Sequence, residues 1–80
     1  MPTVLRARGF RFFFYSNEGR PLEPPHVDVE QGEREAKFWL RPEVYLAYND
    51  GFGAGALREL LALVEGNCER IEKARNEFFG

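Results

Sequence analysis

The spacing of apolar residues changes once along this chain, at Asn49-Asp-Gly51, and this change constrains the fold more than any other feature. Before it, short runs rich in Phe, Val and Tyr are separated by Gly, Pro and Asn, as is typical of β-strands and turns. After it, apolar residues recur at the spacing of an amphipathic α-helix. The sequence therefore predicts an α+β fold, a mainly antiparallel sheet of three to five strands packed on one long C-terminal α-helix.

The turn residues divide the first part of the chain into candidate strands. We expect one domain over residues 1–80, with the sheet over about residues 3–48 and the helix over about residues 54–79, because a chain this short supports one core. The helical stripe keeps its phase, which favours one helix, bent if anywhere at Gly66-Asn67, since Gly in a helix costs about 1 kcal/mol relative to Ala. The predicted strands are Phe10–Tyr15, His26–Glu30 and Glu35–Leu40, with Val44–Tyr48 and Thr3–Arg8 as further candidates.

Charge and cysteine content exclude several classes of function. Eleven Lys and Arg against thirteen Asp and Glu give a net charge of −2, which argues against a protein held on nucleic acid mainly by bulk charge. A single Cys excludes an internal disulfide and a four-Cys zinc site. The sequence shows neither a signal peptide nor an apolar run of membrane length, so we expect a cytoplasmic protein with no membrane partner.

Strand alternation assigns the residues of the first half to two faces. The face expected beneath the helix collects Phe10, Phe12, Phe14, Val27, Val29, Ala36, Phe38, Leu40, Val44 and Leu46. The opposite face mixes charge with large aromatics and is expected to meet solvent: Arg11, Phe13, Tyr15, His26, Asp28, Glu30, Lys37, Trp39 and Tyr45.

Aromatic rings on a solvent face, rimmed by charge, favour an interaction surface. We expect a binding surface that contains Phe13, Asp28, Trp39 and Tyr45. The alternative is that these rings only pack against one another across the strands.

The only set of candidate catalytic residues lies on the same face. A ribonuclease that works without a cofactor needs a proton acceptor, a cation for the phosphate and a proton donor. The candidate proton acceptor is His26, the candidate cation is Arg11 or Lys37, and the candidate proton donor is Tyr15. A stacked base would lie on Phe13 or Trp39. RNA is therefore a possible partner, although the carboxylates of this face oppose a phosphate backbone.

Other chemical signals are weak. His26 and Asp28 supply at most two ligands, so no metal site is predicted, and no motif indicates a cofactor. The glycines at Gly51, Gly53 and Gly55 lack the Lys-Ser or Lys-Thr of a phosphate loop and are expected to lead into the helix. Cys68 lies on the apolar stripe as a small hydrophobe.

Several ordered motifs carry a resemblance that spans nearly the whole chain. They are Arg11-Phe-Phe-Phe-Tyr-Ser16, Asn17-Glu18, Pro24-Pro-His-Val-Asp-Val-Glu30, Ala36-Lys-Phe-Trp-Leu40, Asn49-Asp-Gly-Phe52, Glu59-Leu60 and Asn76-Glu-Phe-Phe-Gly80. With these motifs the chain resembles the short bacterial proteins grouped as domain of unknown function 4160. The resemblance implies a small cytosolic protein of a bacterium or phage, encoded beside a second small protein and forming with it a toxin–antitoxin-like pair.

From this resemblance and the aromatic face we expect a protein-interaction module. Its partner would be the small protein of the neighbouring gene, a second copy of this chain, or both. The ribonuclease-type toxin that uses His26 is the alternative function.

The sequence also departs from the family pattern. Members usually carry His-x-His after the two prolines, whereas Asp28 takes the second position here, which weakens a two-imidazole metal site. Arg75 stands where an aromatic Trp is common, which predicts weaker packing at the helix end. The loop Gly19 to Glu23 is longer than is usual in the family.

Overall fold

The structure is a computed structural model that describes residues 3–14 and 25–79. Tyr15 and the loop Gly19 to Glu23 lie outside the described residues. Within them, the elements in chain order are β1 (Thr3–Ala7), β2 (Phe10–Phe13), β3 (His26–Gln31), β4 (Arg34–Trp39), β5 (Tyr45–Asp50), α1 (Ala54–Gly66) and α2 (Cys68–Phe79). The predicted α+β class is confirmed.

The five strands form one antiparallel sheet in the order β1-β2-β3-β4-β5, so each strand pairs with its neighbours in the chain. The turn between β1 and β2 has two residues with positive φ, Arg8 at 55° and Gly9 at 85°. Gly32, with φ of 62°, follows β3 directly. Positive φ in a two-residue loop gives the backbone a twist that matches that of the paired strands. Local turns thus connect β1 to β2 and β3 to β4.

The helical part differs from the prediction, because two helices replace the single long one. The interruption is Asn67, whose φ of −120° lies outside the helical range. Its side-chain amide donates to the carbonyl of Leu63 at 2.8 Å, and an amide that bonds a helix carbonyl competes with the backbone. Ile71 N–H still donates to the Asn67 carbonyl at 2.9 Å, so helical bonding resumes at once. The break falls at Gly66-Asn67, where the sequence indicated a bend.

The core lies between one face of the sheet and the two helices. Leu60 and Val64 of α1 and Ile71 of α2 are fully buried there. Burying a large apolar side chain contributes about 1.5–3 kcal/mol, so this layer is the main source of stability. The sheet and its flanking segments supply Phe10, Phe12, Phe14, Val27, Val29, Ala36, Phe38 and Leu40, all of which the alternation predicted.

Leu46 corrects that assignment. It was predicted in the core, yet it is 39% exposed. Every residue of β5, a terminal strand of the described sheet, is exposed. Phe52, just beyond β5, is buried instead and meets the ring of Phe10 edge-on at 5.8 Å between centroids.

An amide clamp turns the chain from β5 into α1. Asn49 Nδ2 donates to the Phe52 carbonyl, and Phe52 N–H donates to Asn49 Oδ1, both at 3.1 Å. Gly51 lies inside this loop with φ of 102°, a conformation that glycine adopts without strain. The clamp holds Phe52 in the core and sets the start of α1. The Asn49-Asp-Gly-Phe52 motif therefore has a structural role.

We expect Asn49→Ala to destabilise the fold by about 1–2 kcal/mol, because it removes both hydrogen bonds to Phe52. Urea unfolding followed by circular dichroism measures this. Asn76→Ala is the matched control, since Asn76 is exposed on α2 and should tolerate alanine. Equal midpoints for the two variants would show that the clamp contributes nothing.

Candidate functional site at the outer face and the open edge

The sheet face opposite the helices, here called the outer face, carries the candidate site residues. Residues paired across antiparallel strands share a face, and the observed pairs include Phe13 with Asp28, Asp28 with Lys37, and His26 with Trp39. Arg11 pairs with Glu30, and Trp39 pairs with Tyr45. The structure therefore brings Arg11, Phe13, His26, Asp28, Lys37, Trp39 and Tyr45 to one face, as the alternation predicted.

The predicted exposure of this face is wrong for three of its residues, although Tyr45 is exposed as expected. Phe13 and His26 are both 0% exposed, and Asp28 is buried as well. The imidazole of His26 meets the Trp39 ring edge-on, with 5.6 Å between ring centroids. Alternation assigns a side chain to a face but does not say whether that face is covered. Phe13, His26 and Asp28 are therefore not part of an open aromatic patch.

Two cations cover the rings that were expected to stack bases. The Arg11 guanidinium carbon lies 4.5 Å from the centre of the Phe13 ring, and Lys37 Nζ lies 4.8 Å from the Trp39 ring. Arg11 also donates to Glu30 Oε2 at 2.6 Å and to Thr3 Oγ1 at 2.8 Å. A cation over a ring face is an attractive contact that an incoming base would have to displace. The outer face thus uses its cations within the protein.

This geometry does not favour the ribonuclease hypothesis. A general base must come within hydrogen-bond reach of the proton that it removes. His26 has no exposed surface through which to meet a ribose hydroxyl, and Arg11 is engaged by Glu30. Tyr15, the expected proton donor, lies outside the described residues.

The described residues also lack a metal site: nowhere in residues 3–14 and 25–79 do three or more His, Cys, Asp or Glu side chains gather closely enough to hold an ion. His26 and Asp28 face the same way in one strand without a third such group.

We expect His26→Ala to lower the free energy of unfolding by about 2 kcal/mol, because it empties a fully buried site beside Trp39. Thermal and urea unfolding measure the change. Lys73→Ala on the exposed side of α2 is the control. A His26→Ala protein as stable as the parent would show that the imidazole does not stabilise the fold by packing. That result would favour the catalytic hypothesis.

The edge of the described sheet at β5 carries large exposed side chains. Tyr45 is 47% exposed and Tyr48 is 50% exposed, and they flank the half-exposed Leu46. β5 pairs with β4 on one side, and the described sheet has no strand on its other side. An edge strand presents backbone N–H and C=O groups that can pair with another chain. Large apolar side chains and an open backbone edge thus coincide here.

A bulge decides which side chains this edge presents. Lys37 pairs with Tyr48 while the next residue, Phe38, pairs with Leu46, so Ala47 has no partner in the register. The extra residue places Tyr48 on the outer face together with Tyr45, although the two are three positions apart. Strict alternation assigns the two tyrosines to opposite faces, so Tyr48 was not predicted on the outer face. The residues around Ala47 give no sequence signal that predicts the bulge.

A row of carboxylates crosses the outer face and ends at the same edge. Glu30 pairs with Glu35, and Glu35 pairs with Asp50. Like charges directly opposite each other destabilise a sheet. The Asp50 charge raises the pKa of the exposed Tyr48 phenol, with a further contribution from Glu35, because negative charges disfavour a tyrosinate. Arg11 balances Glu30 at the inner end of the row, while Asp50 stands at the open edge.

Arg75 corrects the prediction of weak packing at the helix end. It is 8% exposed, and its guanidinium carbon lies 5.5 Å from the centre of the Phe14 ring. Its Nη1 also donates a long hydrogen bond of 3.4 Å to the His26 carbonyl. A planar guanidinium stacks on aromatic rings, so Arg75 itself contributes packing at the helix end.

Cys68 is half-buried at the start of α2, as its place on the apolar stripe indicated. Burial raises the pKa of its thiol, and the nearby Glu72 raises it further, although Arg41 acts in the opposite direction. A raised pKa leaves less thiolate at neutral pH, and the thiolate is the reactive form.

We therefore expect iodoacetamide to alkylate Cys68 more slowly at pH 7 than it alkylates glutathione. The rate should rise with pH through a midpoint above that of an ordinary thiol. Mass spectrometry of samples quenched between pH 6 and pH 10 measures this, and a midpoint at or below that of glutathione would contradict the expectation.

These elements define a small α+β protein, a five-stranded antiparallel meander with helices on one face and an open tyrosine-bearing edge. Residues 9–74 match the family described as a domain of unknown function (DUF4160), and the chain belongs to that family. No curated protein and no solved structure matches the chain. Over the part of the chain that the structure describes, no helix is long and apolar enough to cross a membrane.

Proposed function

We propose that this protein is a cytoplasmic protein-interaction module, one component of a bacterial toxin–antitoxin-like pair, and that it binds its partner through the edge strand β5. The observation that carries the proposal is the coincidence of an open strand edge with the exposed Tyr45, Leu46 and Tyr48. The pairing with a neighbouring gene product comes from the family resemblance.

Strand addition is the binding mode that suits such an edge. The partner's extended segment would bond to the free backbone groups of β5, and side chains on both faces would select it. Tyr45 and Tyr48 supply large rings with few rotatable bonds, so ordering them on binding costs little entropy. Leu46, on the helix side, gives the opposite face of the added strand an apolar contact.

The charges of the edge favour a protein partner over RNA. Asp50 and the paired Glu35 face the outer side, where they would repel a phosphate backbone. The cations of the outer face lie over Phe13 and Trp39. His26, the candidate catalytic group, is buried.

Coexpression with the protein of the neighbouring gene tests the proposal. We expect the two proteins to copurify, and we expect Tyr45→Ser/Tyr48→Ser to weaken the complex at least tenfold, because exposed tyrosines at the centre of an interface typically carry much of its binding energy. Isothermal titration calorimetry with the purified proteins measures the affinity.

Glu65→Ser/Arg70→Ser is the matched control, since both residues are exposed on the helices and the pair of changes leaves the net charge unaltered. Thermal unfolding of each variant confirms that it is folded. A complex that forms with undiminished affinity when both tyrosines are replaced would place the interface elsewhere and overturn the role of β5.

A further inference from the structure

We infer that Asp50 is a site of spontaneous covalent modification, at which aspartate isomerises to isoaspartate. The inference concerns the loop between β5 and α1 and stands independently of the proposed function. It follows from the Asp50-Gly51 pair, from its exposure at the end of a strand and from the clamp that encloses it.

The reaction involves the side chain of Asp50 and the main-chain nitrogen of Gly51. The nitrogen attacks Cγ of the carboxyl group, a C–N bond forms, and a carboxyl oxygen leaves as water with the proton of the amide. The product is a five-membered succinimide ring. Water then opens the ring at one of its two carbonyls, which either restores aspartate or gives isoaspartate. The water lost in the first step is regained in the second, so the reaction consumes no other reactant.

Glycine is the following residue that hinders this attack least, because it has no side chain beside the attacking nitrogen. The fold favours glycine at position 51 for its own reasons. Gly51 has φ of 102°, and a Cβ added to it would lie 3.0 Å from Cγ of Arg34. The structure therefore keeps the least hindered neighbour next to Asp50.

The position of Asp50 in the sheet permits the attack. The ring closes only when the main chain at Asp50 leaves the extended conformation of a strand. Asp50 is exposed and is the last residue of β5, a terminal strand of the described sheet, and such strand ends open at little cost in free energy. Asp28, the other aspartate of the chain, is buried in β3 between two paired strands and precedes the β-branched Val29. Asp28 should therefore not react.

Isoaspartate at this position disrupts the clamp between Asn49 and Phe52. The two hydrogen bonds of the clamp, each of 3.1 Å, span Asp50 and Gly51. In isoaspartate the main chain runs through Cβ and Cγ, which adds one carbon inside this span. The Asn49 amide then no longer meets both backbone groups of Phe52, and the connection between the sheet and α1 is loosened.

Ageing the full-length protein at neutral pH and physiological temperature tests the inference. Trypsin releases Asp50 in the peptide of residues 38–58, whose isoaspartate form separates on reversed-phase chromatography at unchanged mass. Deamidation of asparagine raises the mass and is thereby distinguished. We expect isoaspartate to accumulate at Asp50 and not at Asp28, at a rate within about tenfold of the rate at Asp50 in urea, because opening the strand end costs little free energy.

Asp50→Glu is the matched control, since it keeps the charge while its longer side chain would have to close a less favourable six-membered ring. Its peptide should stay unmodified. The isomerised protein, separated from the parent by ion exchange, should have a Tm lower by about 4–8 °C, the shift that accompanies the net loss of about one hydrogen bond in a domain of this size. In Asn49→Ala, which lacks the clamp, isomerisation should lower the Tm less.

Two results would contradict these expectations. If the Asp50 peptide isomerises in urea but stays unmodified in the folded protein, the fold blocks the attack and the inference is wrong. If isoaspartate forms at Asp50 but the Tm of the isomerised protein equals that of the parent, the modification does not disrupt the clamp and its structural consequence is wrong.

Discussion

The burial of one sheet face beneath the two helices is the interaction on which the rest of this structure depends. A small protein has little interior, and here most of it is the layer between the phenylalanines of β2 and β4 and the apolar stripe of α1 and α2. The clamp between Asn49 and Phe52 turns the chain directly after β5 and so helps to place the helices on the sheet. Two ion pairs, Arg8 with Glu59 and Arg41 with Glu72, join the loops of the sheet to the helices at the surface. Such exposed pairs add little stability compared with the apolar layer.

This arrangement leaves the two sides of the sheet with different roles. The helix side is apolar and closed, while the outer face holds polar groups that neutralise one another, such as Arg11 with Glu30, or that pack with rings, such as Lys37 on Trp39. A group engaged within the protein is less available to a ligand. Under the proposed function, the recognition surface is the edge of the sheet at β5 rather than its outer face, because an edge is suited to a partner that brings its own backbone hydrogen bonds.

The side chains of β5 differ along its length. Open strand edges are aggregation hazards, and natural proteins commonly protect them with charge. Asp50, paired with Glu35, stands at one end of β5, and the exposed Tyr45 lies at the other end. Under the proposed function, the tyrosines contact the partner strand, while the charge at Asp50 limits pairing with other chains.

The sequence by itself determined the elements and their faces, because both follow from local periodicity. The two-residue period assigned Phe12 and Phe38 to the helix side, and the change of period at Asn49-Asp-Gly51 located the start of the helical part. Tertiary structure alone decided which side chains are exposed. His26 lies on the predicted face but is buried, since cover depends on what packs over a strand and not on the strand's own pattern. The bulge that turns Tyr48 to the outer face likewise belongs to the pairing of β5 with β4, which the periodicity of one strand does not report. The break at Asn67, in contrast, is local, since Asn67 bonds the carbonyl of Leu63 four residues earlier, and the sequence indicated its place at Gly66-Asn67.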